Sequence, residues 1–158
     1  DESLTSGGQY WDYSAGAPPF SHLTLTGGAI GIGPPLAVGA AVACPDRQVI
    51  NFQADGSGMY TLQALWTQQR EALNVITVVC ANQKYQILKI ELTKQKLPTV
   101  GGALSSLTDL SAPAIDWVHL AEGCGVKAAR VKTVEEFQQH MQTALAAHGP
   151  YLIEAILM

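Results

Sequence analysis

Two polar residues follow two apolar runs whose composition is typical of buried β-strands. Asp55 comes after the run 49–53, and Asn82 comes after the run 75–80. If both runs are parallel strands of one sheet, the two side chains lie at its carboxyl edge, where open α/β sheets bind ligands. A carboxylate and an amide offer hard oxygen ligands, which suit Mg²⁺ or Ca²⁺ and leave coordination positions for phosphate oxygens and water.

Gly56 and Ser57 follow Asp55 at the predicted start of a helix. The free N–H groups and the dipole of a helix N-terminus favour an anion. Metal ligands next to a helix N-terminus therefore predict a clamp for a diphosphate. The alternative from these residues alone is an ordinary turn with a helix cap, and the pairing of Asp55 with Asn82 weighs against it.

The elements that must position these residues alternate between strands and helices. Strands are predicted over 48–53, 75–80, 126–131 and 151–157. Helices are predicted over 9–13, 36–44, 59–73, 85–92, 116–123 and 133–148. This alternation predicts a doubly wound α/β fold, in which a mainly parallel sheet lies between two helical layers as a three-layer sandwich. Residues 1–158 then form one domain.

The helix predicted over 59–73 has apolar residues at amphipathic spacing. This spacing predicts that Trp66 packs in the core and that Gln68 faces solvent, and Trp117 is predicted as a second core tryptophan. Residues 93–114 are predicted to form a loop, and loops of this length are typical of lids or disordered segments.

Composition excludes several functional classes. The net charge of −4 and the lack of a Lys/Arg cluster argue against nucleic acid binding. No apolar run reaches the ~18 residues of a membrane span. Cys44, Cys80 and Cys124 are predicted to be buried, reduced thiols of a cytoplasmic protein rather than a disulfide or zinc framework. The start of the chain at Asp1 predicts a piece of a longer protein or a processed product.

The turn 54–57 (ADGS), followed by Asn82 after the next strand, resembles the thiamine-diphosphate fingerprint, in which GDG is followed by NN. The likeness extends to residues 28–31 upstream and to 116–125 and 149–154 downstream, and it covers essentially the whole chain in order. The chain is therefore similar to the C-terminal, diphosphate-binding domain of the acetolactate synthase, benzoylformate decarboxylase and pyruvate oxidase superfamily.

This resemblance implies that the chain binds thiamine diphosphate together with Mg²⁺. It implies that the side chains of Asp55 and Asn82 and the backbone carbonyl of Lys84 are the metal ligands. It further implies that Gly56 and Ser57 donate hydrogen bonds to the diphosphate, while the cofactor and water complete the metal's octahedron.

The resemblance also implies contacts at the ring end of the cofactor. Ile30 would hold the rings in a bent conformation, the carbonyl of Gly28 would meet the aminopyrimidine edge, and Ala29 lies between them. Tyr85 and the helix that it begins would lie over the site. The loop 1–10, around residues 6–8, would approach the diphosphate from the other side.

Two positions depart from the family pattern, and a few candidates stay outside it. Ala54 replaces the first glycine of GDG, and Ala81 replaces the first asparagine of NN. Neither position supplies an indispensable metal-ligand atom, so the metal site is expected to survive. His22 is an alternative substrate-facing residue, whereas Glu2 has no positional support as a catalytic acid.

By resemblance, the activity is that of an acetolactate synthase-like enzyme, a transferase or lyase that decarboxylates or ligates 2-keto acids. The glutamate that activates the cofactor in this superfamily lies on a pyrimidine-binding domain, usually of the neighbouring subunit. No catalytic residue is therefore assigned to this chain, and a homodimer or homotetramer is expected. Two alternatives remain: an isolated, non-catalytic cofactor-binding or dimerisation module, and a benzoylformate decarboxylase-like or carboligase enzyme.

Overall fold

A four-stranded, all-parallel β-sheet forms the centre of the computed structural model, which describes residues 1–99 and 101–157. The strands are β1 (Val49–Ala54), β2 (Val75–Ala81), β3 (Lys127–Val131) and β4 (Tyr151–Ile156). Their order across the sheet is β1-β2-β4-β3. The inner strand β2 is apolar along nearly its whole length because both of its faces are covered.

Eight α-helices connect and flank the strands within the described residues. They are α1 (Tyr10–Ser14), α2 (Gly33–Ala43), α3 (Asp55–Gly58), α4 (Ala64–Arg70), α5 (Gln86–Lys94), α6 (Gly102–Thr108), α7 (Trp117–Gly123) and α8 (Val134–Ala147). One turn of 3₁₀-helix (Leu4–Ser6) precedes them. In the part of the chain that the structure describes, no helix is long and apolar enough to cross a membrane.

Helices pack on both faces of the sheet, because successive side chains of each strand point to opposite sides. One face packs against α4 and α7 through Leu65, Val79, Trp117, Ala121, Val126 and Leu152. The other face packs against α8 through Ile76, Val78, Val131, Ala144, Tyr151 and Ile153. The predicted three-layer α/β/α sandwich with a parallel, doubly wound sheet is therefore confirmed.

Predicted element ends agree with the structure wherever the sequence carries a strong local signal. Each predicted strand is present with its ends shifted by no more than one residue. The carboxylate of Asp116 caps α7 by accepting a hydrogen bond from the N–H of His119 at 3.1 Å. Thr133 and Glu136 form a reciprocal capping box at the start of α8.

The prediction of one continuous helix over 59–73 is wrong. The chain forms the four-residue helix α3, turns, and then starts α4 at Ala64. This break changes which side of the helix faces the sheet, so Gln68 is only 1% exposed and Trp66 is 52% exposed. Trp66 instead packs beneath the guanidinium of Arg70, 5.3 Å from its ring centroid. The prediction that Trp117 is a core residue is confirmed.

The loop predicted over 93–114 is only partly a loop. The helix α5 extends to Lys94, and α6 occupies the middle of the segment. Val100, which belongs to the predicted loop, lies outside the described residues. The segment returns to the sheet edge at an antiparallel bridge between Lys84 and Asp109.

The three cysteines are free thiols, as predicted, but the prediction that all are buried is wrong. Cys44 is exposed because α2 ends at Ala43 and the chain then turns on the surface. Cys80 and Cys124 are half-buried. Burial raises the pKa of the Cys80 thiol to about 11, and the nearby Asp55 carboxylate contributes to the rise.

Candidate functional site

The pairing of β1 with β2 brings Asp55 and Asn82 to one edge of the sheet. Ala54 pairs with Cys80 in the parallel register, so Asp55 and Asn82 both follow the carboxyl ends of their strands. Both residues line a recess of about 20 Å³ together with Lys84. A recess of this volume admits about one water-sized particle.

Asp55 is a buried carboxylate held by backbone donors. It is 4% exposed, and it accepts hydrogen bonds from the N–H of Gly56 at 2.9 Å and of Gln83 at 2.7 Å. Burial raises the pKa of Asp55 above its ordinary value, and these hydrogen bonds partly oppose the rise. Within residues 1–99 and 101–157, no lysine, arginine or histidine pairs with this carboxylate.

Asn82 and Lys84 belong to a tight turn beyond β2. The side-chain oxygen of Asn82 accepts a hydrogen bond from the N–H of Lys84 at 3.1 Å. In the antiparallel bridge between Lys84 and Asp109, the backbone hydrogen bonds are made by the residues on either side. The N–H of Tyr85 donates to the carbonyl of Thr108, and the N–H of Leu110 donates to the carbonyl of Gln83. These hydrogen bonds therefore do not use the carbonyl of Lys84, which is the backbone atom predicted to bind the metal.

Gln83 contacts Asp55 through its backbone, and no sequence pattern predicts this contact. Its backbone lies in the left-handed region, at φ 55°, which is uncommon for a residue other than glycine. This conformation points its N–H at Asp55. Because every residue except proline has an N–H group, no side-chain pattern signals the role.

Gly56 and Ser57 lie in the short helix α3 and also line the recess. The hydroxyl of Ser57 accepts from the amide of Gln53 at 2.7 Å and approaches the carbonyl of Ala54 at 3.3 Å. The ring of Tyr85 lies directly against Gly56. A diphosphate at this edge must therefore lie over the mouth of the recess or displace the Tyr85 ring.

Gly28, Ala29 and Ile30 lie in the turn before α2, with all three residues exposed. The N–H of Ile30 donates to the carbonyl of Gly28 at 2.9 Å. The next residue, Gly31, is buried, and its carbonyl accepts a hydrogen bond from the hydroxyl of Thr61 at 2.7 Å. The turn therefore presents an apolar side chain to the outside while its far end is anchored inside.

Part of the N-terminal loop 1–10 reaches the recess. Leu4 and Thr5 of this loop line the recess, whereas residues 6–8 at its centre do not. Leu4 and Thr5 lie in a turn of 3₁₀-helix, which has no sequence signal comparable to the glycine pair at 7–8.

A second, larger cavity of about 540 Å³ lies between α2 and the outer edge of β1. His22 lines this cavity, where its ring lies 4.4 Å from that of Tyr10. Asp55 and Asn82 do not line it. The cavity is therefore separate from the donors at the sheet edge, and the structure does not bring His22 to the candidate metal site.

The donor atoms at the sheet edge fit a hard divalent cation. Among the described residues there is no group of three or more His, Cys, Asp or Glu side chains that could hold a metal. The edge instead offers one carboxylate, one amide and one backbone carbonyl, a set from which Mg²⁺ keeps positions for water and phosphate. A buried carboxylate without a cationic partner is costly, and a bound cation removes that cost.

Comparison with known proteins places this arrangement in a family. A family model described as "Thiamine pyrophosphate enzyme, C-terminal TPP binding domain" matches residues 6–155. Thiamine pyrophosphate is another name for thiamine diphosphate. The match includes Asp55, Asn82, the turn before α2, the strands β1 to β3 and all of β4 except its last residue.

The relatives and solved structures that resemble the chain are longer proteins. A Mycobacterium tuberculosis protein named for an acetolactate synthase large subunit, IlvX, is 49% identical over 99% of this chain and 31% of its own length. Benzoylformate decarboxylase of Pseudomonas aeruginosa is 33% identical over 97% of this chain and 28% of its own length. A thiamine diphosphate-dependent 4-hydroxybenzoylformate decarboxylase of Rhodococcus jostii RHA1 superposes with a TM-score of 0.74 at 40% identity, over 82% of this chain and 23% of that structure. The chain spans less than a third of each.

Proposed function

Since the chain belongs to the family of C-terminal thiamine pyrophosphate-binding domains of thiamine pyrophosphate enzymes, we propose that it binds the Mg²⁺-diphosphate half of thiamine diphosphate. The observation that carries the proposal is the buried carboxylate of Asp55, which lies at the same sheet edge as Asn82 and has no cationic partner among the described residues. When bound, thiamine diphosphate supplies the electron sink that allows a 2-keto acid to lose its carboxylate as CO₂.

Three residues of the chain are the proposed metal ligands. Asp55 and Asn82 contribute side-chain oxygens. Lys84 contributes its backbone carbonyl, which the hydrogen bonds of the bridge to Asp109 do not use. Mg²⁺ demands near-octahedral oxygen coordination and retains water or phosphate oxygens at the remaining positions. The backbone hydrogen bond from Gln83 holds the Asp55 carboxylate toward this edge before the metal binds.

A second set of residues is proposed to contact the organic part and the diphosphate of the cofactor. Backbone groups of Gly56 and Ser57 bind the diphosphate, and the ring of Tyr85 moves to admit it. At the other end of the cofactor, the exposed turn 28–30 contacts the rings, with Ile30 as the apolar support. The exposure of Ile30 supports this placement, because 42% of this apolar residue is open to solvent and contact with the rings would cover part of it.

We propose that the reaction is the decarboxylation or ligation of a 2-keto acid, in an acetolactate synthase-like transferase. The relative named for an acetolactate synthase large subunit supports this reading. Decarboxylase or carboligase (lyase) chemistry is the second candidate, because other relatives are decarboxylases named for 2-keto acids that carry an aromatic ring. A panel of aliphatic and aromatic 2-keto acids, assayed for CO₂ and for ligated product, separates the two.

We propose that a pyrimidine-binding domain, of the same or a neighbouring subunit, completes the active site in a cytoplasmic homodimer or homotetramer. The share of its relatives that the chain spans supports the need for further domains. The alternative is that the chain acts as a separate, non-catalytic cofactor-binding module. Turnover of any 2-keto acid by the purified 158-residue chain alone would contradict both proposals, because each needs a second domain.

Calorimetry of thiamine diphosphate binding to the assembled enzyme in MgCl₂ tests the metal site. The variant Asp55→Ala is expected to lose at least about 100-fold in affinity, roughly 2.7 kcal/mol. Asp46→Ala is the matched control because Asp46 is an exposed aspartate before β1, and it should bind as the wild type does. Chelation of the metal should reduce wild-type affinity to the level of Asp55→Ala. Unchanged affinity in Asp55→Ala would disprove the assignment.

A further inference from the structure

Glu2 is a buried glutamate that the proposed ligand set does not use. It is 1% exposed, and its backbone is paired with the outer edge of β1. Its N–H donates to the carbonyl of Phe52 at 2.7 Å, and its carbonyl accepts from the N–H of Ala54 at 3.0 Å. Because Ala54 directly precedes Asp55, Glu2 is fixed beside the strand end that carries the proposed metal ligand.

The carboxyl group of Glu2 extends to the segment that carries Ile30. One oxygen accepts a hydrogen bond from the N–H of Gly31 at 2.5 Å, and the other accepts from the N–H of Gly33 at 2.7 Å. Both glycines are buried. If the carboxyl group were removed, two buried N–H groups would lose their partner, and water does not reach them to compensate.

Gly33 packs directly against this carboxyl group. A Cβ at Gly33 would lie 2.9 Å from a Glu2 oxygen and 2.2 Å from the side-chain oxygen of Gln53. Only glycine permits such an approach. On the other side of the segment, the hydroxyl of Thr61 holds the carbonyl of Gly31 at 2.7 Å. The chain is thus clamped from two sides just beyond Ile30.

We propose that Glu2 is a positioning residue, which fixes the segment 28–33 relative to Asp55 so that both halves of the cofactor bind at once. The proposal rests on the function proposed above. Asp55 would hold the metal and diphosphate while Ile30 supports the rings. A single cofactor can satisfy both only if their separation is fixed, and Glu2 is hydrogen-bonded to both segments without lining the metal recess itself.

The test compares two ligands in the assembled enzyme by calorimetry with MgCl₂. Thiamine diphosphate engages both segments, whereas inorganic diphosphate engages only the metal end. Glu2→Gln replaces one acceptor with an amide donor that faces an N–H group, and Glu2→Asp keeps the charge but is too short to reach both glycines. Each variant is expected to bind thiamine diphosphate about tenfold more weakly, roughly 1.4 kcal/mol, and inorganic diphosphate within about twofold of the wild type.

If the Glu2 variants do not fold, a milder variant tests the same segment. Thr61→Val removes the opposite clamp on Gly31 and should also weaken thiamine diphosphate selectively, by about threefold. Its control is Thr143→Val, because Thr143 is exposed and its hydroxyl donates to a carbonyl inside the helix α8. Glu122→Gln, an exposed glutamate of α7, is the control for Glu2→Gln.

Hydrogen exchange supplies a readout that does not depend on ligand binding. The amides of the segment 28–33 should exchange faster in the Glu2 variants and in Thr61→Val, while those of β2 should not change. Unchanged exchange of this segment, or an equal loss of affinity for both ligands, would overturn the positioning role. If the wild type binds neither ligand, the proposed function fails as well. If the wild type binds both and the variants do too, only the role of Glu2 fails.

Discussion

Replacing Arg130 with methionine should lower the free energy of unfolding, because it removes the cationic partner of a buried glutamate on the neighbouring strand. Glu154 lies on β4 with its side chain 2% exposed, and one of its oxygens accepts a hydrogen bond from Nε of Arg130 at 2.8 Å. The same guanidinium binds Asp116, the cap of α7, at 2.8 Å. Arg130→Met keeps most of the apolar stem and removes the charge, so Glu154 is left buried without a cation.

The size of this effect follows from the exposure of the two partners. Breaking a buried ion pair by removing one partner costs about 3–5 kcal/mol. Because the Arg130 side chain is 40% exposed, solvent screens part of its charge. We therefore expect the low end, about 3 kcal/mol at pH 8.

The loss of stability should depend on pH. Burial raises the pKa of Glu154 above its ordinary value, and the hydrogen bond and charge of Arg130 oppose that rise. Without Arg130 the pKa rises further, so the folded variant binds a proton at Glu154 more readily than the unfolded chain does. Stability of the variant then falls as the pH rises from the unfolded pKa through the folded one. The deficit relative to the wild type should be largest near pH 8 and shrink toward pH 5.

Urea unfolding of the 158-residue chain, followed by circular dichroism at both pH values, measures the deficit. Arg70→Met is the control, because Arg70 is exposed on α4, where its guanidinium pairs with the exposed Glu71 and lies over the ring of Trp66. Its cost should stay below about 1 kcal/mol. A deficit below about 1 kcal/mol for Arg130→Met, or one that is equal at both pH values, would refute the reasoning.

Two further outcomes test local features of the fold. Thr133→Ala removes the capping box of α8 and should lower the free energy of unfolding by about 1 kcal/mol. Thr143→Ala, inside the same helix, should lower it by less, and equal effects would contradict a capping role. A thiol reagent at neutral pH should modify Cys44 well before Cys80, because Cys44 is exposed and burial raises the pKa of Cys80 to about 11. Peptide mass spectrometry measures the order of modification, and equal rates would show that the burial of Cys80 is wrongly placed.

The sheet and the polar residues at its carboxyl edge could be predicted because their signals are local and repeated. β-branched runs bounded by turns mark strands that are buried on both faces, and parallel pairing sends their carboxyl ends to one edge. The positions of Asp55 and Asn82 then follow from the strand ends alone. The caps at Asp116 and Thr133 were equally local, since each is a side chain that bonds to a backbone group three residues away.

The side of α4 that faces the sheet could not be predicted, because hydrophobic spacing does not reveal a break between two short helices. Residues 59–73 carry apolar positions that fit a single helix, yet α3 ends at Gly58, where the ring of Trp117 packs closely, and α4 begins only at Ala64. The turn that follows moves each later side chain to another face. As a result, Gln68 is buried, and Trp66 takes the solvent side.

The partners of Glu2 lie about thirty residues away along the chain, and no spacing rule links an N-terminal glutamate to two glycines at that distance. The positions of the proposed metal ligands depend on the β1–β2 register, which many backbone hydrogen bonds fix. The position of Ile30 instead depends on a few side-chain acceptors, so it is the more easily perturbed of the two. A substitution in this clamp should therefore separate ring binding from diphosphate binding, whereas a substitution at Asp55 should abolish both.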